Sequence, residues 1–291
     1  MVQKLDIRPS PLAGRWYPAN PDRLAQNIDQ YIHNAKLPPY DGEVVGVIAP
    51  HAGHQYSGPV AGYAFAALRG LTPEIVAIVS PMHRPFPHPI LVSGHQAYET
   101  PLGVVEIHSD AVGELIQNAE IDHHISISTV RFDDEHSLEI EIPFLQRVLP
   151  EGFKIIPLMV RDLSPTILQR LGKTLGKVLL KWGGILVAST DLSHFYPQNI
   201  AEQLDEEILQ RMESFDPVYF LQAEEEGAGF ACGRAAVATV MWAAKELGAN
   251  HIKVLFHATS GDITGDYSQV VGYGAALVLR QHSTEERNIS P

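Results

Sequence analysis

A single cysteine, Cys232, among 291 residues leaves no partner for an intramolecular disulfide and points to a reducing compartment. Cationic side chains are also few: 21 Lys and Arg face 34 Asp and Glu, for a formal net charge of -13. That balance excludes a generic nucleic-acid or anionic-membrane surface, since both require a basic patch. No apolar stretch approaches the ~20 residues of a bilayer span. The opening Met1-Val2-Gln3-Lys4-Leu5-Asp6 lacks the apolar core of a signal peptide, so a cytoplasmic location is expected, with neither membrane nor nucleic acid as partner. Also missing are a Gly-x-Gly-x-x-Gly turn after a strand, a Gly-Lys-Ser/Thr phosphate loop and a Gly-x-Ser-x-Gly elbow. Their absence argues against dinucleotide, P-loop and common serine-hydrolase chemistry, and no nucleotide cofactor is expected. With no internal repeat and no low-complexity linker, the chain reads as one domain over 1–281 and a disordered tail over 282–291.

What is present is a series of short apolar runs at 44–49, 75–80, 90–93, 104–107, 153–160, 184–190, 251–258 and 269–279, each read as a strand. Helical patterns lie between several of them, from about Ser57 to Leu68, Ser164 to Leu180, Asn199 to Met212 and Gly233 to Leu247. Strands alternating with helices imply an α/β fold with helices on both faces of the sheet. The short strands near 90–107 make the expected sheet mixed, though largely parallel.

The candidate chemistry sits where strands end. Pro50-His51-Ala52-Gly53-His54-Gln55-Tyr56-Ser57-Gly58 follows the first apolar run, Ser80-Pro81-Met82-His83-Arg84 the second, and Thr190-Asp191-Leu192-Ser193-His194 a third. In open α/β sheets ligands bind outside the carboxyl ends of the strands. If these strands are parallel neighbours, His51, His83, Asp191 and His194 converge on one crevice. Cys232 stands where the alanine-rich helix begins, a position whose backbone N–H groups and dipole lower a thiol pKa and favour the metal-binding thiolate. In the acidic segment from Asp133 to Leu145, His136 and Glu139 are three apart and would share a face if the segment were helical. Asp133, Asp134 and Glu135 read as a solvated capping turn at a helix N-terminus.

With these residues in view, the chain resembles the Memo family, the Memo-like protein B component of the AmmeMemoRadiSam group. The resemblance is carried by Arg8-Pro9, Ala13-Gly14-Arg15-Trp16-Tyr17-Pro18, Pro50-His51-Ala52-Gly53 with Tyr56-Ser57-Gly58, Pro81-Met82-His83 and Glu135-His136-Ser137-Leu138-Glu139. It continues through Ser189-Thr190-Asp191-Leu192-Ser193-His194, Cys232-Gly233, and Thr259-Ser260-Gly261-Asp262 before Gly272-Tyr273. It implies a fold similar to that of class III extradiol dioxygenases. It also implies a metal cavity with His51, His83 and Cys232 as ligands, and with Asp191, His194 and His136 lining it in catalytic roles. The implied cofactor is one iron or copper ion, with zinc as an alternative. The implied partners are a small-molecule or peptide ligand, with functional association to radical SAM and AMMECR-type proteins. Ser57 and Arg84 stand where some relatives carry Cys and a second His.

Three functional readings follow. The first is a metal-dependent redox protein or dioxygenase-like oxidoreductase, in which replacement of a carboxylate ligand by thiolate shifts preference toward copper or zinc. The second is a non-catalytic peptide or small-ligand binding module in the same pocket, with Trp16, Tyr17 and Arg84 as its rim. The third is a metal-free hydrolase with Cys232 as nucleophile and His51 or His83 as base.

Overall fold

The structure is a computed structural model that describes residues 5–161 and 164–281; the tail expected over 282–291 lies outside the described residues. In chain order the elements are β1 (Ile7–Arg8), α1 (Pro21–Asn34), β2 (Glu43–Ala49), α2 (His54–Ala66), β3 (Ile75–Pro81), β4 (Ile90–Ser93), β5 (Ala97–Thr100) and β6 (Gly103–Glu106). Then come α3 (Ser109–His123), β7 (Ser128–Val130), a single 3-10 turn at Glu139–Glu141, α4 (Ile142–Val148), β8 (Lys154–Val160) and α5 (Pro165–Trp182). The chain closes with β9 (Gly184–Ser189), β10 (His194–Tyr196), α6 (Gln198–Glu213), α7 (Pro217–Glu225), α8 (Arg234–Glu246), β11 (His251–Thr259), α9 (Gly261–Thr264) and β12 (Val270–Arg280).

The main sheet runs β10-β12-β2-β9-β3-β8-β4-β7, with β11 on the free side of β12. Its centre, β2-β9-β3-β8, is parallel throughout, while β12 joins β2 and β4 joins β8 in antiparallel sense. The fold is therefore α/β with a mixed sheet, as the alternation of apolar runs and helical patterns implies. The central strands read as continuous apolar runs because both faces are covered: every residue of β3 is buried. The β2-α2-β3 and β8-α5-β9 connections run in opposite directions along the sheet, and right-handed crossovers in opposite directions put α2 and α5 on opposite faces. A second, three-stranded sheet, β1-β5-β6, carries the N-terminal segment.

Local chemistry accounts for the helix limits. Asn20 caps α1 by accepting from the Arg23 N–H at 2.9 Å with Pro21 in the first turn, and Leu24, Ile28 and Ile32 form its buried stripe. The alanine-rich α8 packs closely on α5 because Gly172 faces it: a Cβ there would lie 2.5 Å from the Thr239 carbonyl oxygen.

Three expectations change. The helix after β2 starts at His54 and not near Ser57, so His54 belongs to its first turn while His51 stays in the loop. The segment from Asp133 to Leu138 is irregular, and a regular helix begins only at Ile142, with Pro143 in its first turn. His136 and Glu139 therefore share no helical face. The reason is side-chain capture: Asp133 is held by Arg8 and Glu135 by His83, which pulls the backbone away from helical form.

Candidate metal site

The order β2-β9-β3 sets three carboxyl ends side by side, and the loops leaving them carry His51, Asp191 and His83. His51 is 1% exposed. Its backbone N–H donates to Asp191 Oδ1 at 2.7 Å, and the Ala52 N–H reaches the same oxygen at 3.3 Å. Asp191 thus locks the β2 loop to the β9 loop. Its own backbone N–H donates to Cys232 Sγ at 3.3 Å, and the Cys232 N–H returns a bond to the Asp191 carbonyl at 3.2 Å. Glycine is required next to the cysteine, since a Cβ on Gly233 would lie 2.2 Å from the Ser189 carbonyl oxygen.

His83 and His136 are brought together by one buried carboxylate. Glu135, 1% exposed, accepts from the His83 N–H at 2.6 Å and from His83 Nδ1 at 2.8 Å, and its Oε1 lies 3.3 Å from His136 Nδ1. It also accepts from the N–H groups of His136 and Ser137 and from the Ser137 hydroxyl. Burial opposes its charge, but the bond from His83 and the surrounding donors hold it well below the usual carboxylate range. Glu135 is therefore a buried anchor and not part of a solvated cap. Asp133 is likewise buried on Arg8; Asp134, more than half exposed and paired with Arg84 at 2.8 Å, is the one of the three that meets solvent.

The N-terminal segment braces this loop. Arg8, 1% exposed, forks onto Asp133 through Nε at 3.1 Å and Nη2 at 2.8 Å, reaches the Asp133 and Glu135 carbonyls, and pairs with Glu139. Ser10 and Tyr17 donate to the other Glu139 oxygen at 2.5 and 2.6 Å. Tyr17 is thus buried in this brace and is not a rim residue. Trp16 stacks on His136 with ring centroids 4.2 Å apart, and His136 stacks in turn on His83 at 4.6 Å.

His51, His83 and His136 form a group whose donor atoms all lie within 4.8 Å of one another, a spacing that a single metal ion could bridge. The chemistry of the donors fits that use. Each Nδ1 faces a protein partner: Ser189 Oγ for His51 at 2.9 Å and Glu135 for the other two. The Nε2 atoms of His83 and His136 are left for a ligand bond, and that of His51 faces Cys232 Sγ at 3.1 Å, an arrangement that orients metal-binding imidazoles. Burial, then the neighbouring histidines, push His51 well below its usual pKa, and burial takes His136 to about 4, so both are neutral donors near pH 7.

Behind His51 runs a buried chain that the strand-end pattern did not reveal. Ser189 Oγ contacts the Ser137 carbonyl at 2.6 Å, Glu141 Oε1 at 2.6 Å and His51 Nδ1 at 2.9 Å. The hydroxyl has one hydrogen, and the carbonyl can only accept it. The other two contacts therefore require donors, namely the His51 Nδ1–H and a protonated Glu141. Burial raises the Glu141 carboxyl well above the carboxylate range, in agreement, and its Oε2 has no partner.

Cys232 Sγ lies 3.1 Å from His51 Nε2. A lowered thiol pKa at the helix start was expected, but the structure gives the reverse. Burial, then the Asp191 carboxylate, push the thiol up, and these outweigh the dipole of α8. Asp191 itself is raised to about 7 by burial, moderated by the His51 and Ala52 N–H groups; its Oδ2 stands 3.9 Å from His51 Nε2. His194 donates from Nδ1 to the Leu192 carbonyl at 2.7 Å and stands outside the three-histidine group. His54 is buried away from it, its Nε2 donating to the Ile140 carbonyl at 3.0 Å.

Ser189, Glu141 and Glu135 were not anticipated as site residues. Ser189 had only its strand-end position as a signal, and Glu135 only its place beside His136. No helix among the described residues is long and apolar enough to cross a membrane.

Comparison with known protein sequences covers most of the chain. A MEMO1 family protein of Nitrosopumilus maritimus is 35% identical over 273 residues, covering 92% of this chain and 98% of the relative. MEMO1 family proteins of Methanopyrus kandleri and Thermotoga maritima are each 34% identical, covering 93% and 92% of this chain and 98% of each relative. The crystal structure of an uncharacterized Escherichia coli K12 protein superposes with a TM-score of 0.48 at 12% identity, over 80% of this chain and 99% of that one. The family model for Memo-like proteins matches residues 8–277, a span that holds the Arg8 brace, the three clustered histidines and Cys232, and the chain belongs to the Memo family.

Proposed function

We propose that this protein is a metal-dependent redox protein whose site holds one iron or copper ion through His51, His83 and His136, with Cys232 as a further donor. The observation that carries the reading is the closure of three imidazoles, each with its Nδ1 held by a partner, to within 4.8 Å. Imidazoles beside a thiol favour copper or zinc, while the Asp191 carboxyl, 3.9 Å from His51 Nε2, is an oxygen donor suited to iron. An ion bound there supplies Lewis acidity and one-electron chemistry.

The chain's own groups do the rest. Glu135 orients two of the imidazoles and Ser189 the third. Cys232 is neutral while buried beside Asp191, and would have to give up its proton to hold an ion. Asp191, with a carboxyl pKa raised to about 7, exchanges a proton at neutral pH next to His51. The hydrolase reading loses ground here: Cys232 and His51 have the separation of a nucleophile and base, but burial keeps the thiol protonated and the imidazole a weak base.

Ligand capture without turnover has one observation in its favour, a cavity of about 520 Å³ lined by Trp16, Tyr56, Phe195 and Tyr273. The two readings separate by elemental analysis of protein purified without added metal, followed by absorption spectra of the copper-loaded form. The metal reading expects close to one ion per chain and a thiolate-to-metal charge-transfer band that Cys232→Ser removes. Metal-free protein that binds no ion at micromolar concentrations would leave ligand capture.

A further inference from the structure

We infer that the cavity opening on His83 and Cys232 takes a small carboxylic acid, whose carboxylate is held by Arg161 and whose apolar body lies along Met82, Phe86 and Val160. The inference deepens the metal reading by naming the ligand class of the same site, and depends on that reading only for what happens to the ligand once bound.

This cavity has a volume of about 460 Å³, within the range of small-ligand sites. His83 and Cys232 border it, so a ligand seated there meets one member of the histidine group directly. Prolines at 81, 87 and 89 fix backbone φ along its wall, which makes the shape largely preformed and lowers the entropy lost on binding.

Charge selects the ligand. The chain carries a net charge of -13, yet among the described residues lining this cavity none is a carboxylate and Arg161 is the one permanently charged side chain. Arg161 follows the last residue of β8. Its backbone N–H donates to the Pro89 carbonyl at 2.8 Å and its Nη1 to the Phe86 carbonyl at 3.0 Å. Those two bonds set the guanidinium against the wall and leave its other N–H groups for a ligand, in the fork that matches a carboxylate. The three imidazoles add no negative charge, so an ion held by them raises the positive field over the same space. A cationic ligand is repelled, and a neutral one leaves the guanidinium uncompensated.

The test is calorimetric titration of the full chain with benzoate, its uncharged isostere benzamide, and acetate, each in metal-free and zinc-loaded protein. Benzoate is expected to bind both forms. Benzamide, which lacks the charge, and acetate, which lacks the apolar body, are each expected to bind about tenfold more weakly or worse. Arg161→Met should weaken benzoate about tenfold or more while zinc stoichiometry stays at the wild-type value, and Arg161→Lys should recover part of the loss. Equal affinity for benzoate and benzamide, an unchanged benzoate affinity in Arg161→Met, or no benzoate binding up to about 10 mM overturns the inference. Failure to bind zinc with benzoate binding intact would instead overturn the metal reading and keep the carboxylate subsite, so the two failures are distinguishable.

Discussion

At the residue scale the site is governed by which protons are fixed and by what. The contacts of Ser189 require a hydrogen on Glu141 and another on His51 Nδ1. Glu141→Gln keeps a donor in the same place and should change stability by no more than about 1 kcal/mol in chemical denaturation, with metal affinity nearly unchanged. Ser189→Ala removes the partner of His51 and should weaken metal binding about 10- to 100-fold, measured by competition with a chromophoric chelator. A large loss in Glu141→Gln would mean that the carboxyl is ionised in the native protein.

His54 gives the clearest pH signature. Burial lowers its pKa from 6.5 to about 4, so between those values the unfolded chain binds a proton that the folded chain does not. The contribution is full above pH 6.5 and is lost as pH falls through about 4, amounting to up to about 3 kcal/mol. Asp191, raised to about 7, acts with opposite sign from roughly pH 4 upward, as its folded form holds the extra proton. Comparing urea unfolding of the wild type with His54→Phe from pH 4 to 7 isolates the histidine, because the Asp191 contribution is common to both. The variant should show the shallower loss of stability on acidification; parallel curves would contradict a neutral buried His54.

At the scale of elements, the central strands and α5, α6 and α8 were legible because apolar runs and helical spacing are long enough to show a period. Strands β1, β5, β7 and β10 span two to four residues, too short for one, and exist through pairing with distant partners. The same limit explains the site. His51, His83 and Asp191 were legible as strand-end residues, whereas the role of Glu135 depends on Arg8 and His83, respectively 127 and 52 positions away. The acidic composition of Asp133 to Glu135 suggested a cap, and only the tertiary partners distinguish a cap from an anchor. Arg8→Met tests the brace: it leaves Asp133 and Glu139 buried without their cation and should cost about 3 to 5 kcal/mol. Hydrogen exchange should localise the loosening to residues 131–141, and a uniform loss of protection across the fold would contradict a local brace. On α5, Gly172→Leu should destabilise the α5–α8 contact by about 1 to 3 kcal/mol in thermal or urea unfolding, since the added side chain meets the Thr239 carbonyl and Trp242; an unchanged midpoint would contradict that close packing.

For the whole molecule, the parallel centre of the sheet is what turns scattered motifs into one site. The sequence pattern implied converging strand ends, but strand order could not be read from it: β9 lies between β2 and β3 although it follows them by about a hundred residues in the chain. That order brings His51, Asp191 and His83 together, while the 133–138 loop adds His136. The central claim is that His51, His83 and His136 act as one metal-binding unit. Its most direct test is an anaerobic titration of copper(II) and iron(II) into metal-free protein, with wild type, His51→Ala, His136→Ala and Cys232→Ser compared and folding checked by circular dichroism. The three-histidine site predicts about one ion per wild-type chain, loss of tight binding in both histidine variants, and retained but weaker binding in Cys232→Ser. Full-affinity binding by a folded His136→Ala protein, or no binding by the wild type at micromolar metal, would contradict it.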